Sequence, residues 1–358
     1  MLRVMVVDDS AVARHLIVQI LDDDPELRVV AEAADGAQAV LLAESVRPDV
    51  ITMDINMPVM DGLEATRTIM ERVPRPIILI SSLYEPEEVR DSFPGLEAGA
   101  LTVLGKPGNP SAPGFARQAA EIVSTVKDLA RVKVVTRRRR RGVSKGPVAP
   151  PSAPRRLRPA GAVPVGIVAI GASTGGPAAL AKVFSGLSSD LPVPIVVVQH
   201  MASGFDGAFA DWLDHVCPLE VHLAPHLGKL LPGKVLVAPH GHHLGVTREG
   251  RTVLSSEAPI GGHQPSATFL FRSVAQAYGR HALGVILTGM GDDGAPGLVD
   301  LKEAGGLVIA QDEASSVVYG MPRAAVELGA VDWIADVEDI ASSIVETVNR
   351  GALAMRSG

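Results

Sequence analysis

Short apolar runs alternate with segments of helical periodicity along residues 1–131. Each run has the length of a buried strand, and the apolar residues between runs recur at the spacing of an amphipathic helix. The runs that we predict to be strands are 2–7, 27–31, 49–53, 76–80 and 101–104. Strands that alternate with helices favour a parallel sheet with helices on both faces. We therefore predict a first α/β domain over residues 1–131, built on a five-stranded parallel sheet.

The same alternation returns over residues 163–350. The apolar runs that we predict to be strands there are 165–170, 194–199, 234–238, 283–287 and 306–310. Helical patterns lie between several of these runs. We therefore predict a second, larger α/β domain that is doubly wound around a mostly parallel sheet.

Residues 132–162 break the pattern and predict a linker between the two domains. Arg137–Arg141 is an unbroken arginine run, and a proline-rich stretch and a second basic group follow it. Such sequence cannot bury a core, so we expect it to be exposed and semi-rigid. The arginines have two interpretations, a solvated linker or a contact with an acidic partner, nucleic acid or anionic lipid.

Composition narrows the class of protein. A chain of 358 residues suits two domains with sizeable cores. The formal net charge of −7 disfavours a nucleic-acid partner, and no apolar run is long enough for membrane insertion. The single cysteine, Cys217, excludes an internal disulfide framework, and we expect a cytoplasmic protein.

Acidic side chains follow two predicted strands of the first domain. Asp8 and Asp9 come directly after the first strand, and Asp54 follows the third. The carboxyl ends of neighbouring parallel strands share one edge of the sheet, so these carboxylates should converge and suit Mg²⁺. Ser81 and Lys106 follow the fourth and fifth strands, where a hydroxyl and an ammonium suit a phosphoryl group. The alternative is that the acids are ordinary caps and turn residues.

These positions resemble a response-regulator receiver domain, which has a flavodoxin-like fold. The matching segments are Val6–Ser10, Asp54–Gly62 and Lys106–Pro107. The resemblance implies that a histidine kinase phosphorylates Asp54, that Ser81 and Lys106 are switch residues, and that the Lys106–Pro107 peptide bond is cis. The Mg²⁺ ligands that it implies are Asp8, Asp9, Asp54 and the backbone carbonyl of Asn56.

A serine flanked by glycines is the first candidate catalytic residue of the second domain. Gly171–Gly176 contains Ser173, follows an apolar run and precedes an Ala- and Leu-rich stretch. A strand, a sharp turn and a helix in this order expose a serine hydroxyl at the carboxyl edge of a sheet. Ser173 is therefore a candidate nucleophile, and the alternatives are a structural turn or a phosphate-binding loop.

A nucleophilic serine needs a base and a carboxylate to orient that base. His200 ends a predicted strand, and Asp293 lies in a glycine-rich segment just after another, so both should reach the edge where Ser173 lies. The order Ser, His, Asp differs from the Ser, Asp, His order of α/β-hydrolases. A second group of histidines, His240, His242 and His243, has no carboxylate or cysteine at ligand spacing, so we favour a polar loop over a metal site.

The second domain resembles the catalytic domain of the chemotaxis protein-glutamate methylesterases, the CheB family. The matching segments are Ile170–Pro177, Val198–Met201, Leu287–Gly294, Gln311–Glu313 and Gly320–Pro322. The resemblance implies Ser173 as nucleophile, His200 as base and Asp293 as orienting acid. It also implies that the Met290 N–H binds the oxyanion and that Thr174 lines the site.

The resemblance further implies a function. The enzyme would hydrolyse glutamyl methyl esters on methyl-accepting chemoreceptors without a cofactor, and the same chemistry would deamidate certain receptor glutamines. A chemotaxis histidine kinase would phosphorylate the receiver, which otherwise blocks the catalytic cleft, and the result would be sensory adaptation.

Two other classes of function stay open. One is a receiver fused to a binding module whose basic linker contacts DNA or a partner, although no helix-turn-helix or aromatic-basic pattern supports it. The other is a general, lipase-like esterase. Segments near the cleft also depart from the common family sequence, at 200–205 and 264–269, so receptor preference stays open.

Overall fold

The computed structural model describes residues 1–81, 93–96, 98–112, 114–132 and 163–356, with the side chains of 350–356 left aside. The chain divides into two compact units, Met1–Gly146 and Pro147–Gly358. The predicted linker over residues 132–162 lies almost entirely outside the described residues. None of the helices in the described ranges is long and apolar enough to span a bilayer.

The N-terminal unit is a parallel sheet with strand order β2-β1-β3-β4-β5. Its strands are β1 (Leu2–Val7), β2 (Leu27–Ala33), β3 (Val50–Asp54), β4 (Ile77–Ser81) and β5 (Thr102–Gly105). The helices described in it are α1 (Ala11–Asp22), α2 (Gly36–Val46), α3 (Gly62–Arg72) and α4 (Phe115–Leu129). The five-stranded parallel sheet predicted from the sequence is confirmed.

Local chemistry explains where the helices of this unit begin. The side chains of Ser10, Asp35 and Asp61 each accept a hydrogen bond from a backbone N–H in the first turn of a helix. Strands β3 and β4 are buried at every position, as expected of strands covered by helices on both faces. The strand order reverses between β1 and β3, and ligands of open α/β sheets bind at such a point.

The C-terminal unit has a seven-stranded parallel sheet with strand order β14-β13-β12-β6-β7-β9-β8. Its strands are β6 (Ile167–Ala172), β7 (Ile195–Gln199), β8 (Glu220–Leu223), β9 (Lys234–Val237), β12 (Ala282–Ile286), β13 (Leu307–Gln311) and β14 (Trp333–Ala335). An antiparallel hairpin, β10 (His243–Val246) with β11 (Thr252–Ser255), packs beside it. The predicted doubly wound, mostly parallel architecture is confirmed, and β8, β14 and the hairpin are elements that we did not predict.

Helices cover this second sheet. They are α5 (Gly176–Ser185), α6 (Asp206–Val216), α7 (Ala267–Tyr278), α8 (Ala295–Glu303), α9 (Met321–Glu327) and α10 (Val337–Arg356), with a 3₁₀ turn at Gly279–His281. A buried apolar cluster joins α7, α8 and α9 to β6, β7, β12 and β13. Strand β6 lies between β7 and β12, so the segments that follow these strands meet at the carboxyl edge of the sheet.

Candidate functional site

The predicted acidic residues of the N-terminal unit converge at the carboxyl edge of its sheet. One carboxylate oxygen from each of Asp8, Asp9 and Asp54 lies within 4.8 Å of the others. The Lys106 ammonium is 2.8 Å from Asp54 Oδ2 and 3.2 Å from Asp8 Oδ2. Asp8 and Asp54 are almost completely buried, whereas Asp9 is exposed.

Burial changes the protonation of this cluster. It raises the pKa of Asp54 to about 6, and the Asp8 carboxylate adds to the rise while Lys106 opposes it. Burial also raises the pKa of Asp8. Burial alone would lower the pKa of Lys106, but its contacts with Asp54 and Asp8 raise it. One ammonium is therefore too little positive charge to ionise both buried carboxyls fully near pH 6.

Two further predicted residues border this cluster. Ser81 follows Ile80, the residue of β4 that pairs with Asp54, and its buried Oγ has no hydrogen-bond partner in the described part of the chain. Asn56 is exposed, and its carbonyl oxygen accepts no hydrogen bond from the described residues. The implied cis bond is wrong, because Lys106–Pro107 is trans and the cis bond within the described ranges is Gln264–Pro265.

The turn after β6 presents Ser173 in the C-terminal unit. The Ser173 N–H donates to the Thr288 carbonyl at 3.0 Å, and the Ser173 carbonyl accepts from the Gln199 amide at 2.8 Å. Gly175 has φ 76°, a left-handed conformation that a glycine adopts without steric cost, and helix α5 begins at the next residue. The backbone on both sides of the hydroxyl is therefore held in place.

His200 lies beside this turn. Ala172 at the end of β6 pairs with Gln199 at the end of β7, and the His200 N–H donates to the Ala172 carbonyl at 3.0 Å. Ser173 and His200 are the residues that directly follow this pair. The His200 side chain is 10% exposed, its Nε2 lies 2.9 Å from Asp293 Oδ2, and its Nδ1 is buried without a hydrogen-bond partner in the described residues.

Asp293 follows β12 in the chain, and its carboxylate contacts the N-terminus of helix α7. It accepts hydrogen bonds from four donors. Besides His200 Nε2, these are the Ser266 hydroxyl at 2.7 Å and the backbone N–H groups of Ala267 at 2.7 Å and Thr268 at 3.0 Å. Burial alone would raise the pKa of Asp293, but the donors and the charge of His200 hold it well below the ordinary range. The carboxylate therefore stays ionised at neutral pH.

The glycine-rich segment after β12 lies against the serine. A Cβ added at Gly289 would come within 2.8 Å of Ser173 Cβ. The Gly289 N–H donates to Val318, and the Gly289 carbonyl accepts from the N–H groups of Gly320 and Met321. In contrast, the N–H groups of Met290 and Thr174 donate to no acceptor among the described residues. These two groups are thus available to an oxygen of a substrate.

Sequence reasoning missed several residues that support the site. Ser266 and His243 are one such pair, since the buried His243 Nδ1 accepts from the Ser266 N–H at 3.2 Å. Gln199 and Gln311 fix the turns around Ser173 and Thr288. His243 lies in β10 and not in the polar loop that we favoured. A polar residue at the end of an apolar strand run is the one local signal that marks Gln199.

Metal-ligand spacing separates the acidic residues of the N-terminal unit from the histidines of the C-terminal unit. Among the described residues, Asp8, Asp9 and Asp54 form the one group of acidic, histidine or cysteine side chains with metal-ligand spacing. His243 Nε2 is 3.2 Å from the Ala258 carbonyl, so both ring nitrogens of this histidine have protein partners. Both nitrogens of the His243 ring are therefore engaged by the backbone.

Comparison with known proteins relates each unit to a family. Residues 168–344 match the CheB methylesterase family, and residues 4–112 match the response regulator receiver domain. A Myxococcus xanthus protein named protein-glutamate methylesterase/protein-glutamine glutaminase 4 is 49% identical over 96% of both chains. A relative with the same name and the number 3, from Anaeromyxobacter dehalogenans, is 47% identical over 98% of this chain and 100% of its own.

A solved structure is similar to the C-terminal unit. It is the crystal structure of the Thermotoga maritima CheB methylesterase catalytic domain, which is 38% identical and has a TM-score of 0.50. The match covers 51% of this chain and 99% of that domain.

Proposed function

Because the chain belongs to the CheB methylesterase family and carries a response regulator receiver domain, we propose that it hydrolyses glutamyl methyl esters on chemoreceptors. A Ser173–His200–Asp293 triad performs the reaction, and phosphorylation of Asp54 controls it. The observation that carries the triad is the His200 ring, which is held by an ionised Asp293 through Nε2 and has a buried, unpartnered Nδ1.

The tautomer of the His200 ring follows from its contact with Asp293. An ionised carboxylate only accepts hydrogen bonds, so the nitrogen facing Asp293 must carry the proton. In the neutral ring the lone pair then resides on Nδ1, the nitrogen that we propose serves Ser173. A buried nitrogen without a partner is unfavourable in a resting protein, and it suits a base that receives a hydroxyl proton.

The proposed reaction begins when Ser173 Oγ attacks the carbonyl carbon of the ester while His200 Nδ1 takes its proton. The N–H groups of Met290 and Thr174 bind the negative oxygen of the tetrahedral intermediate. His200 then returns the proton to the leaving methoxide, and methanol departs from an acyl-serine.

Water completes the proposed cycle. His200 takes a proton from the water as it attacks the acyl carbon, and the second tetrahedral intermediate expels Ser173 Oγ, which regains a proton from His200. The products are a glutamate side chain, methanol and the free enzyme. With a glutamine substrate, the same steps would release ammonia, so deamidation is part of this proposal.

The proposed phosphorylation site fits a divalent cation. Two buried carboxyls share a single ammonium, and an exposed carboxylate and a free carbonyl border them. Asp8, Asp9, Asp54 and the carbonyl of Asn56 would hold Mg²⁺, which neutralises the charge of an incoming phosphodonor. Asp54 would receive the phosphoryl group from a chemotaxis histidine kinase, with Lys106 and the unpartnered Ser81 hydroxyl binding its oxygens.

The substrate assignment is tested by comparing esters. The full chain, treated with acetyl phosphate and Mg²⁺, is given methylated chemoreceptor fragments or short nitrophenyl esters at equal concentration. We expect a higher kcat/KM for methanol release from the receptors. A much higher kcat/KM for the nitrophenyl esters would replace the proposed function with that of a general esterase.

A further inference from the structure

A second histidine ring covers one face of His200. The ring centroids of His200 and His263 are 4.1 Å apart, and the two ring planes differ by 2°. The contact is therefore a parallel stack of the two imidazole rings. His263 is partly buried and is absent from the proposed triad.

The backbone that carries His263 is rigid. Ile260 and His263 exchange two backbone hydrogen bonds of 3.1 and 3.0 Å, which close a tight turn. The two residues inside the turn, Gly261 and Gly262, have φ angles of 59° and 87°, which correspond to a type I′ turn. The following residue, Gln264, donates from its side chain to the Glu257 carbonyl at 2.7 Å. These contacts hold the backbone of His263 in place beside His200.

The same segment also holds the acid of the triad. Three residues after His263, the Ser266 hydroxyl donates to Asp293, and the N–H of Ala267 donates to the same carboxylate. The chain from 260 to 267 therefore contacts both partners of the His200–Asp293 pair. It fixes the carboxylate through hydrogen bonds and the imidazole through the stack.

The charge of His263 is compatible with this contact. Burial lowers the pKa of His263 and the charge of His200 lowers it further, while Asp293 and Asp292 act in the opposite direction. The His263 ring is therefore neutral at neutral pH. A neutral aromatic face attracts a cation placed over it, whereas a second imidazolium would repel it.

We propose that His263 is a positioning residue, whose ring holds the plane of the His200 imidazole so that Nδ1 faces Ser173 while Nε2 stays on Asp293. This role rests on the proposed triad. When His200 takes the serine proton, the neutral ring of His263 stabilises the resulting imidazolium. The stack thus acts on the chemical step and not on the binding of the ester.

Three substitutions distinguish the effect of the aromatic ring of His263 from the effect of its polar atoms. His263→Phe and His263→Tyr keep an aromatic ring, and the second guards against a poor fit of the first. His263→Asn keeps a polar group but removes the ring. His281→Asn is the matched control, since His281 is also a partly buried histidine and lies at the opposite edge of the sheet, at the start of β12.

The measurement is kcat and KM for methanol release from methylated chemoreceptor fragments, with the full chain activated by acetyl phosphate. Loss of an aromatic stack on a buried cation predicts that His263→Asn lowers kcat about tenfold, with KM changed less than about twofold. We expect at least one ring-bearing variant to keep kcat within about threefold of the wild type. His281→Asn should match the wild type.

Other results overturn the role of His263. Full kcat in His263→Asn with a loss in both ring-bearing variants would mean that its polar atoms act, and an unchanged kcat in every variant would mean that the stack is idle. Loss of kcat in all three variants would likewise contradict stacking. Ser173→Ala separates this inference from the proposed function, because turnover in that variant removes the triad itself.

Discussion

Asp293 is a buried charge whose environment satisfies all of its hydrogen-bonding capacity. Four donors surround its two oxygens, and three of them come from the N-cap residue Ser266 and the first two residues of helix α7. A helix N-terminus stabilises a negative charge, and hydrogen bonds to a carboxylate favour its ionised form. Ser266 is the residue that links these effects, because its hydroxyl bonds to both Asp293 and the N–H of Phe269.

The first prediction concerns Ser266→Ala. The change removes a donor to Asp293 and the cap of α7, so we expect kcat to fall about tenfold and stability to fall by about 1–2 kcal/mol. Methanol release and urea unfolding measure the two effects. Ser273→Ala is the control, since Ser273 lies farther along helix α7. Its hydroxyl accepts a hydrogen bond from the Val246 N–H and donates one to the Val246 carbonyl. An equal loss of kcat in both variants would contradict a specific role for Ser266.

The second prediction is a pH dependence of stability. Folding lowers the pKa of Asp293 below its ordinary value of 3.8, so the folded state releases this proton more readily than the unfolded chain. The carboxylate therefore stabilises the C-terminal unit above about pH 4, and the stabilisation is lost as the pH falls through the folded pKa. We expect Asp293→Asn to lose this part of the acid dependence.

Tryptophan fluorescence measures the unfolding of the C-terminal unit selectively, because both tryptophans of the chain, Trp212 and Trp333, belong to that unit. Urea unfolding would be followed from pH 7 downward in the wild type and in Asp293→Asn. Asp300→Asn serves as the control, since Asp300 is a partly exposed partner of Arg272. If the free energy of unfolding falls with pH in the same way in the wild type and in Asp293→Asn, Asp293 is not the group responsible for the acid dependence.

At the scale of elements, three adjacent strands bring the proposed catalytic residues together. Ser173 follows β6, His200 follows β7 and Asp293 follows β12, and these strands are neighbours in the sheet. The apolar runs and the turn residues behind them predicted this arrangement, because strand ends in a parallel sheet share an edge.

Other parts of the site could not be predicted in this way. The stack of His263 on His200 and the bond from His243 to Ser266 join residues that are distant in sequence or lie in a hairpin. Local periodicity carries no information about such pairings. Strand β8 is short and exposes alternate residues, so its apolar signal is weak.

The third prediction concerns the turn after β12. A Cβ at Gly289 would press against Ser173 and Met321, so Gly289→Ala should displace the Met290 N–H from the proposed oxyanion position. Loss of one oxyanion donor costs about 10²–10³ in kcat, and we expect a loss of at least 10². Gly207→Ala is the control, since a Cβ there meets nothing within 4 Å. Steady-state methanol release distinguishes the two variants, and equal rates would contradict the role of this turn.

At the scale of the whole molecule, the proposed control and the proposed chemistry reside in different units. Asp54 belongs to the unit Met1–Gly146, and the triad belongs to Pro147–Gly358. The Asp293 carboxylate already accepts four hydrogen bonds from protein donors, whereas Asp8, Asp9 and Asp54 have the spacing of metal ligands. Under the proposed function, a response of methanol release to a phosphodonor and a divalent cation therefore originates at the acidic cluster of the other unit.

The fourth prediction tests that separation. Acetyl phosphate with Mg²⁺ should raise the rate of methanol release by the full chain, and EDTA should abolish the increase because the carboxyl cluster then lacks its cation. Asp54→Asn should keep the unstimulated rate and lose the response. A normal response in Asp54→Asn would remove this residue from the proposed regulation.

The most direct measurement for the central claim is methanol release from methylated chemoreceptors by Ser173→Ala, compared with the wild type under identical phosphodonor and Mg²⁺. Ser173 supplies the attacking oxygen in the proposed reaction, and removing a triad nucleophile eliminates most of the rate enhancement. We predict that release by Ser173→Ala falls to the level of the receptors alone, while its unfolding curve stays close to that of the wild type. Release at the wild-type rate would contradict the account.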